Sequence, residues 1–190
     1  MKLRLNSILR SSYANGPGNR FVIWTQGCSF NCQGCFNPET HSSDGGYEIE
    51  TGELFEKITA EKDIEGISVS GGEPLLQADG LLFLLKRIKE ETDLSVLIFT
   101  GFDYDEILKD RKKKEVLNYA DILIAGRYDK SKKSNKPLVS SLNQEMLFLT
   151  DRYCFDDITP VDGEVVISLD GKILITGVRP PVIEEFLNVT

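Results

Sequence analysis

The sequence has 190 residues, of which 41% are hydrophobic and 27% are charged, with a formal net charge of −8. These values are typical of a globular chain of one domain, long enough to bury a core. The acidic balance argues against a nucleic-acid-binding surface. No stretch approaches the roughly 20 apolar residues that a membrane span needs, and the N-terminus lacks the apolar core of a signal peptide. We therefore expect a cytoplasmic protein without membrane or nucleic-acid partners.

The first predicted elements are extended. Apolar residues over positions 3–9 indicate a short edge segment, and the glycines, asparagines and proline of residues 15–19 indicate a turn. Residues 20–25 form an apolar, β-branched run that predicts a buried strand. Residues 39–46 are polar and include the single histidine, His41, which we interpret as a surface loop residue.

From residue 51 to residue 150, predicted helices and strands alternate. Helices are expected over 51–62, about 77–92 and about 103–118, and strands over 66–70, 94–100, 121–125 and 145–150. Asp103 and Glu106 form a capping pair for the third helix. This alternation predicts an α/β fold with a parallel sheet and helices outside it. Ligands in such folds bind at the carboxyl ends of the strands.

The tail has a different pattern. Two apolar runs flank Asp170-Gly171, which is a strong signal for a β-hairpin with a two-residue turn. A short apolar helix with Ile183, Phe186 and Leu187 is expected after it. We therefore divide the chain into a core, residues 1–154, and a C-terminal antiparallel appendage, residues 155–190.

Two runs of basic residues stand out, at positions 111–114 and 130–136. The polar character of the second run indicates a mobile loop. Either run could dock an acidic partner, although such runs more often form solvated helix ends and loops.

Three of the four cysteines, Cys28, Cys32 and Cys35, lie within one short loop directly after the strand predicted at 20–25. In a reducing compartment, such a cluster indicates metal binding or catalysis rather than disulfides. Structural zinc needs four ligands, and His41 could supply a fourth, although it lies in a polar stretch. We interpret Cys154, which stands between two aromatic residues, as a buried apolar residue.

An iron–sulfur cluster that only carries electrons uses four thiolates at other spacings. Three cysteines would leave one iron of a four-iron cluster without a protein ligand, which is what a catalytic metal site needs.

The pattern Cys-x₃-Cys-x₂-Cys resembles the signature of the radical S-adenosyl-L-methionine (AdoMet) enzymes. A second motif strengthens the resemblance, because Gly71-Gly72-Glu73-Pro74 follows the next predicted strand of the α/β pattern. Glycines let the backbone approach a ligand closely, and an anionic glutamate favours a cationic sulfonium and ammonium. The alternative interpretation of this motif is a plain strand-to-helix turn.

Further motifs resemble the activating enzymes of anaerobic ribonucleotide reductase. They are Asn15-Gly16-Pro17-Gly18 with Arg20, Trp24-Thr25-Gln26-Gly27-Cys28, Cys32-Gln33-Gly34-Cys35-Phe36-Asn37, Thr100-Gly101-Phe102 and Asn143-Gln144. The resemblance covers about residues 13–150. It departs from the family where the fourth strand ends, because Ala125-Gly126-Arg127 keeps the basic residue but lacks the acidic one.

The resemblance implies a partial (β/α) barrel with a 4Fe-4S cluster on the three loop cysteines and AdoMet at the open iron. The residues implied in cofactor binding are Phe36, Gly71, Gly72, Glu73, Thr100 and Arg127. It further implies reductive cleavage of AdoMet to a 5′-deoxyadenosyl radical, a glycyl radical enzyme as partner, and a flavodoxin- or ferredoxin-like reductant.

Two alternatives remain open at this point. One is a radical AdoMet enzyme that acts on another peptide or a small molecule, which the Ala125 departure and the added hairpin motivate. The other is a non-catalytic zinc or iron–sulfur module used for interaction.

Overall fold

A computed structural model describes residues 1–159, 161, 163–167, 171 and 173–177, and its centre is a seven-stranded sheet. The strands are β1 (Lys2–Ser12), β2 (Arg20–Thr25), β3 (Tyr47–Glu50), β4 (Gly66–Gly71), β5 (Ser95–Thr100), β6 (Ile122–Ala125) and β7 (Glu145–Phe148). Their order across the sheet is β3-β1-β2-β4-β5-β6-β7. Strands β2, β4, β5 and β6 pair in parallel, so their carboxyl ends meet at one edge of the sheet. The predicted α/β class is confirmed.

The helices cover one face of this sheet. They are α1 (Thr51–Thr59), α2 (Ala78–Glu91), α3 (Tyr104–Lys109) and α4 (Arg111–Leu117). Alternation along β2 shows how the sequence divides the two faces, because Phe21 and Ile23 join the helix-packed core. Trp24 points instead to a cavity on the opposite face. That face carries no α-helix in the described residues and is called the helix-free face below. That face is where the strands leave room for a ligand.

The N-terminal segment is longer and more central than the sequence predicted. It is an 11-residue strand between β2 and β3, not a short edge segment. Strand β3 was missed, and it pairs with residues 2–5 of β1. Ile49 is the only buried side chain of β3, so the segment carries almost no periodic signal.

Two further expectations need correction. The helix predicted over 103–118 is broken at Asp110, whose side chain accepts hydrogen bonds from the backbone N–H groups of Lys112 and Lys113 and so starts α4. Strand β7 runs antiparallel to β6, so the sheet is parallel only in its middle. The capping pair at the start of α3 is confirmed, since the Glu106 carboxylate accepts from the Asp103 N–H at 2.9 Å.

The predicted C-terminal hairpin is confirmed as strands β8 (Glu164–Ile167) and β9 (Ile173–Thr176), which pair antiparallel. Side-chain hydrogen bonds from Ser12 and Asn15 tie it to the core. Ser12 Oγ donates to the Glu164 carboxylate at 2.6 Å, and Asn15 Nδ2 donates to Thr176 Oγ1 at 3.0 Å. The helix expected around residues 183–187 lies outside the described residues, and the domain division at residue 154 stays a prediction.

Two surface assignments also change. Cys154 is exposed, so it is not the buried apolar residue that its aromatic neighbours suggested. The basic segment around residues 130–136 is not a free loop, because Lys133 bridges to Ser141 across a short antiparallel contact. In the part of the chain that the structure describes, every helix is too short or too polar to cross a membrane.

Asp121, at the start of β6, forms the main buried ion pair of the sheet. Its carboxylate lies 2.8 Å from Lys89 Nζ and also accepts from the Val96 N–H and the Thr150 hydroxyl. Burial alone would raise the pKa of Asp121, but these partners outweigh it and hold the pKa below its ordinary value. The pair therefore links the end of α2 to the middle of the sheet.

Replacing Lys89 with Met should lower the free energy of unfolding by about 3 kcal/mol at neutral pH, because a buried carboxylate loses its counter-charge. A group with a depressed pKa contributes stability above its ordinary pKa of about 4 and loses it as the pH falls through the folded value. The deficit of Lys89→Met should therefore shrink below that pH. Urea denaturation across this range measures both effects.

Lys86→Met is the matched control, since Lys86 lies in the same helix and makes only an exposed pair with Glu90 at 3.9 Å. It should change stability by no more than about 0.5 kcal/mol. Equal effects from the two variants would contradict the assignment.

Candidate functional site

Loops that follow the four parallel strands meet around one cavity of about 140 Å³ at the carboxyl edge of the sheet. Most of the site residues inferred from the sequence line it: Cys28, Cys32, Cys35, Phe36, Gly71, Gly72, Glu73 and Thr100. Arg127 does not line the cavity, although its neighbour Gly126 does. The structure thus brings together residues from loops spread between Cys28 and Gln144 in the sequence.

The cysteine loop is held to its neighbour by backbone hydrogen bonds. The Gly72 N–H donates to the Thr25 carbonyl at 2.8 Å, and the Glu73 N–H donates to the Gly27 carbonyl at 2.9 Å. On its other side, the Cys28 N–H donates to the His41 carbonyl at 3.1 Å. His41 therefore holds the loop through its backbone, a contact that the sequence did not reveal.

The two glycines after β4 are needed for this close approach. A Cβ at Gly72 would lie 2.3 Å from the Gly27 carbonyl oxygen. Gly71 has φ +105°, and a Cβ there would lie 2.4 Å from the Thr25 backbone nitrogen. The Gly-Gly step therefore serves loop packing, in addition to any approach to a ligand.

Glu73 is buried and fully hydrogen-bonded. Its carboxylate accepts from the Leu75 N–H at 2.9 Å, the Thr100 hydroxyl at 2.8 Å and the Gly101 N–H at 2.7 Å. Burial raises the pKa of Glu73 to about 7, while these donors and Lys113 oppose that rise. The carboxylate thus joins the loop after β4 to the loop after β5.

Phe30 is a site residue that the motif analysis missed. Its ring packs edge-to-face on Phe102 with centroids 4.8 Å apart, and the Arg127 guanidinium lies 4.4 Å from its centroid. A Cβ at Gly101 would come within 2.5 Å of this ring. The sequence signal that could have indicated this role is the presence of a large aromatic side chain between the first two cysteines. Phe30 connects the cysteine loop to two other strand ends.

The end of β6 has carboxylates close to Arg127, although Ala125 stands where the family motif has an acidic residue. Ala125 is buried in β6, and Arg127 pairs with Glu106 at 3.1 Å and with Asp103 at 3.6 Å. These ion pairs raise the pKa of Arg127. The neighbouring loop and helix therefore bring carboxylates to the strand end where the family motif has its own.

A lobe between β6 and β7, residues 126–144, closes the site and is called the β6–β7 lobe below. The Gln144 side chain fastens it, since its carbonyl accepts from the N–H groups of Ser140 and Ser141 while its amide donates to the Gly126 carbonyl. Tyr128 of this lobe packs on Phe36 with ring centroids 4.8 Å apart. The Asn143-Gln144 motif thus positions the lobe.

The three loop cysteines are free thiols, each half-buried. Burial raises the pKa of Cys28 and of Cys35, and nearby backbone N–H groups oppose that rise. One of these groups, the Asn37 N–H, donates to Cys35 Sγ at 3.4 Å. Metal coordination would stabilise the thiolates that burial disfavours, and N–H donors to sulfur are a feature of iron–sulfur sites.

Among the residues that the structure describes, no three His, Cys, Asp or Glu side chains converge on a point that could hold a single ion. Three thiols spread around one cavity instead suit a multi-iron cluster, because each cysteine binds a different iron.

Comparison with known proteins decides the family. The model of the 4Fe-4S single cluster domain matches residues 14–147. The chain belongs to this family. The inferred 4Fe-4S cluster is thereby supported as its cofactor, and the matched range contains all three loop cysteines.

Relatives of this family member are activating proteins. The anaerobic ribonucleoside-triphosphate reductase-activating protein of Enterobacteria phage T4 is 28% identical over 156 residues, covering 78% of this chain and 96% of the phage protein. That of Vibrio cholerae is 35% identical over 122 residues, 60% of this chain and 77% of the relative. The pyruvate formate-lyase-activating enzyme of Clostridium pasteurianum is 37% identical over 114 residues, 56% of this chain and 48% of the enzyme. The resemblance drawn from the motifs is confirmed.

Replacing Gly72 with Ala should separate the two loops, because the new methyl group meets the Gly27 carbonyl. We expect a loss of roughly 1–3 kcal/mol in stability and a lower iron content after anaerobic reconstitution. Iron and sulfide analysis of the reconstituted protein measures the second effect.

Gly52→Ala is the control, since Gly52 lies in α1 and a Cβ there would make only an ordinary van der Waals contact, 4.0 Å from Arg87 Nη1. It should leave iron content unchanged and stabilise the helix by about 0.5–1 kcal/mol. Normal iron loading of Gly72→Ala would show that the close approach is not needed for the cluster site.

Proposed function

We propose that the chain is a radical AdoMet enzyme that generates a glycyl radical on a partner enzyme of the anaerobic ribonucleotide reductase type. The observation that carries this proposal is that Cys28, Cys32 and Cys35 share one cavity with the Gly71–Glu73 loop. Relatives named for activation of anaerobic ribonucleoside-triphosphate reductase and of pyruvate formate-lyase support it. We place the activity in the cytoplasm, where thiols stay reduced.

In this proposal Cys28, Cys32 and Cys35 hold the 4Fe-4S cluster. When bound, the cluster would supply the one electron needed for reductive cleavage of AdoMet to methionine and a 5′-deoxyadenosyl radical, and that radical would remove a hydrogen atom from the substrate. The chain's own residues position the cosubstrate and exclude water. Four thiolates would close the site, so three leave room for a non-protein ligand.

The remaining predicted residues have separate roles in this site. The backbone of Gly71 and Gly72 borders the cavity, and the Phe36 ring, braced by Tyr128, offers a flat apolar wall. Glu73 keeps a buried carboxyl group near the position of a cationic ligand, and Thr100 holds that carboxyl group in place. Arg127 acts through Phe30, on whose ring it lies.

A second cavity, of about 320 Å³, adjoins the first on the helix-free face of the sheet. The two cavities share lining residues, among them Phe36, Ser70 and Phe99. The lining of the second cavity is mostly amide, hydroxyl and apolar groups, and Glu39 is the one ionisable side chain among the described residues there. A neutral lining of this kind suits an extended peptide segment better than a charged metabolite.

The C-terminal hairpin favours a second candidate function, a radical AdoMet enzyme with a different peptide or small-molecule substrate. Residues Leu174 and Thr176 of β9 line the second cavity, so the hairpin narrows access to the helix-free face. A narrower entrance would select among substrates. We keep the glycyl radical enzyme as the leading proposal because the relatives support it. A flavodoxin- or ferredoxin-like protein is the proposed reductant.

The direct test of the activity is anaerobic reconstitution, reduction with dithionite, addition of AdoMet and detection of 5′-deoxyadenosine. Alanine at Cys28, Cys32 or Cys35 should abolish the product, because each thiol would hold one iron. Cys154→Ala should retain it, since Cys154 is exposed and does not line the cavity. Absence of the product from fully loaded wild-type protein would refute both candidate functions.

The role of the second cavity is tested by Leu174→Trp, which would partly fill it, because Leu174 is one of its lining residues. We expect AdoMet cleavage with dithionite to persist, while glycyl radical formation on a co-expressed anaerobic ribonucleotide reductase falls about tenfold or more, because the substrate is misplaced. Electron paramagnetic resonance measures the glycyl radical.

Ile173→Trp is the matched control, because Ile173 is the preceding residue of β9, is 66% exposed and does not line the cavity. It should leave radical formation unchanged. Equal loss in both variants would indicate a general defect of the hairpin instead of a filled cavity.

A further inference from the structure

The β6–β7 lobe concentrates positive charge in an otherwise acidic chain. Its five basic residues are Arg127, Lys130, Lys132, Lys133 and Lys136. Asp129 is its single acidic residue, whereas the whole chain has a net charge of −8. A local patch of opposite sign to the whole molecule orients an approaching charged partner.

Much of this charge is not neutralised within the described chain. Lys132 pairs with Asp129 at 3.2 Å, and Arg127 pairs with residues of the α3 region. In the described residues no carboxylate lies within ion-pair distance of Lys130, Lys133 or Lys136, and all three side chains are exposed.

The other basic run, residues 111–114, leaves two cations without a carboxylate partner in the described residues, against three in the β6–β7 lobe. In α4, Lys112 pairs with Asp79 at 2.6 Å, and Lys113 pairs with Asp110. Two of its four cations are therefore balanced by acids of the same chain. The β6–β7 lobe is the better candidate for recognition of an acidic surface.

The lobe presents its lysines from an ordered backbone. The Leu142 N–H donates to the Lys132 carbonyl at 2.6 Å, and the Ser134 N–H donates to the Ser140 carbonyl at 3.2 Å. Leu142 is 63% exposed, so a large apolar side chain lies beside the lysines. An apolar centre with a charged rim is the usual composition of a protein-docking surface.

The lobe also lies directly against the cysteine loop. Lys130 Cδ lies 3.1 Å from the position of a Cβ at Gly34, between Cys32 and Cys35. The outer side of that loop is exposed at Asn31, Gln33 and Gly34. A protein bound to the lobe would therefore also cover the solvent side of the cysteine loop.

We propose that the β6–β7 lobe is the docking surface for a small acidic one-electron carrier protein that reduces the cluster. The step is a single electron transfer, in which the carrier's low-potential flavin or iron–sulfur centre is oxidised by one electron and the cluster is reduced by one. This inference rests on the proposed function, since it assigns an electron donor to the same site. The short distance from lobe to cysteine loop suits such a transfer.

The test uses cluster-loaded protein and purified reduced flavodoxin as the probe. The test variant is the triple Lys130→Glu, Lys133→Glu and Lys136→Glu. A second variant changes only Lys133 and Lys136, leaving the contact of Lys130 with Gly34 intact. The charge-matched control is Lys57→Glu, Lys62→Glu and Lys86→Glu, at exposed or partly exposed positions in or after the helices.

Two readouts are measured over a range of ionic strength: the affinity for flavodoxin by titration calorimetry, and the rate of cluster reduction by stopped-flow absorbance. Wild-type affinity should fall as salt is added. The triple variant should bind about tenfold or more weakly at low salt and lose most of its salt dependence, and the double variant should show part of this effect. The control variant should behave as wild type.

Unchanged flavodoxin affinity in the triple and double variants would overturn the proposal, as would an equal effect of the control variant. A defect confined to glycyl radical formation on the partner enzyme would also overturn it, because the lobe would then bind that partner. Formation of 5′-deoxyadenosine with dithionite as reductant separates a failure of the docking proposal from a failure of the proposed function. Its absence in wild type would refute the proposed function, while the calorimetric arm would still decide whether the lobe binds an acidic carrier.

Discussion

The close approach of two backbone segments, Thr25–Gly27 and Gly71–Glu73, is the constraint on which the site depends. Two hydrogen bonds of 2.8 and 2.9 Å join them, and side chains at Gly71 and Gly72 would not fit. This contact places the cysteine loop at the carboxyl edge of the sheet, where the loops after β5 and β6 also begin. A thiol cluster on an unsupported loop would lack such placement, because three short-range ligands do not fix the orientation of a loop relative to a second binding element.

Polar and aromatic contacts extend this constraint to the other strand ends. Glu73 binds the backbone at Gly101 and the hydroxyl of Thr100, so that a buried carboxyl group joins two loops. Phe30 reaches from the cysteine loop to Phe102 and Arg127, and Gln144 fastens the β6–β7 lobe. Residues of the cofactor motifs therefore hold one another in place, and the loss of one contact would disturb several of these loops. The charged lobe sits at the outer end of the same network.

Much of this could be predicted from the sequence, because the informative features are local. The alternation of apolar runs predicts the parallel strands, and the cysteine spacing together with Gly71-Gly72-Glu73-Pro74 indicates the site. The break at Asp110 is also local, but the apolar pattern does not record it, because it follows from a side-chain cap that competes with a continuous helix. Other features depend on tertiary contacts. Strand β3 buries one side chain and gains its pairing only from β1. The contacts of Phe30 depend on which strand ends become neighbours.

We propose that Cys28, Cys32 and Cys35 hold a four-iron cluster in which one iron is left for AdoMet. Mössbauer spectroscopy of protein reconstituted anaerobically with ⁵⁷Fe tests this most directly. We expect one iron in four to become spectroscopically distinct when AdoMet is added, and we expect Cys28→Ala, Cys32→Ala and Cys35→Ala to lose the cluster. Four irons that stay equivalent after addition of AdoMet would contradict it.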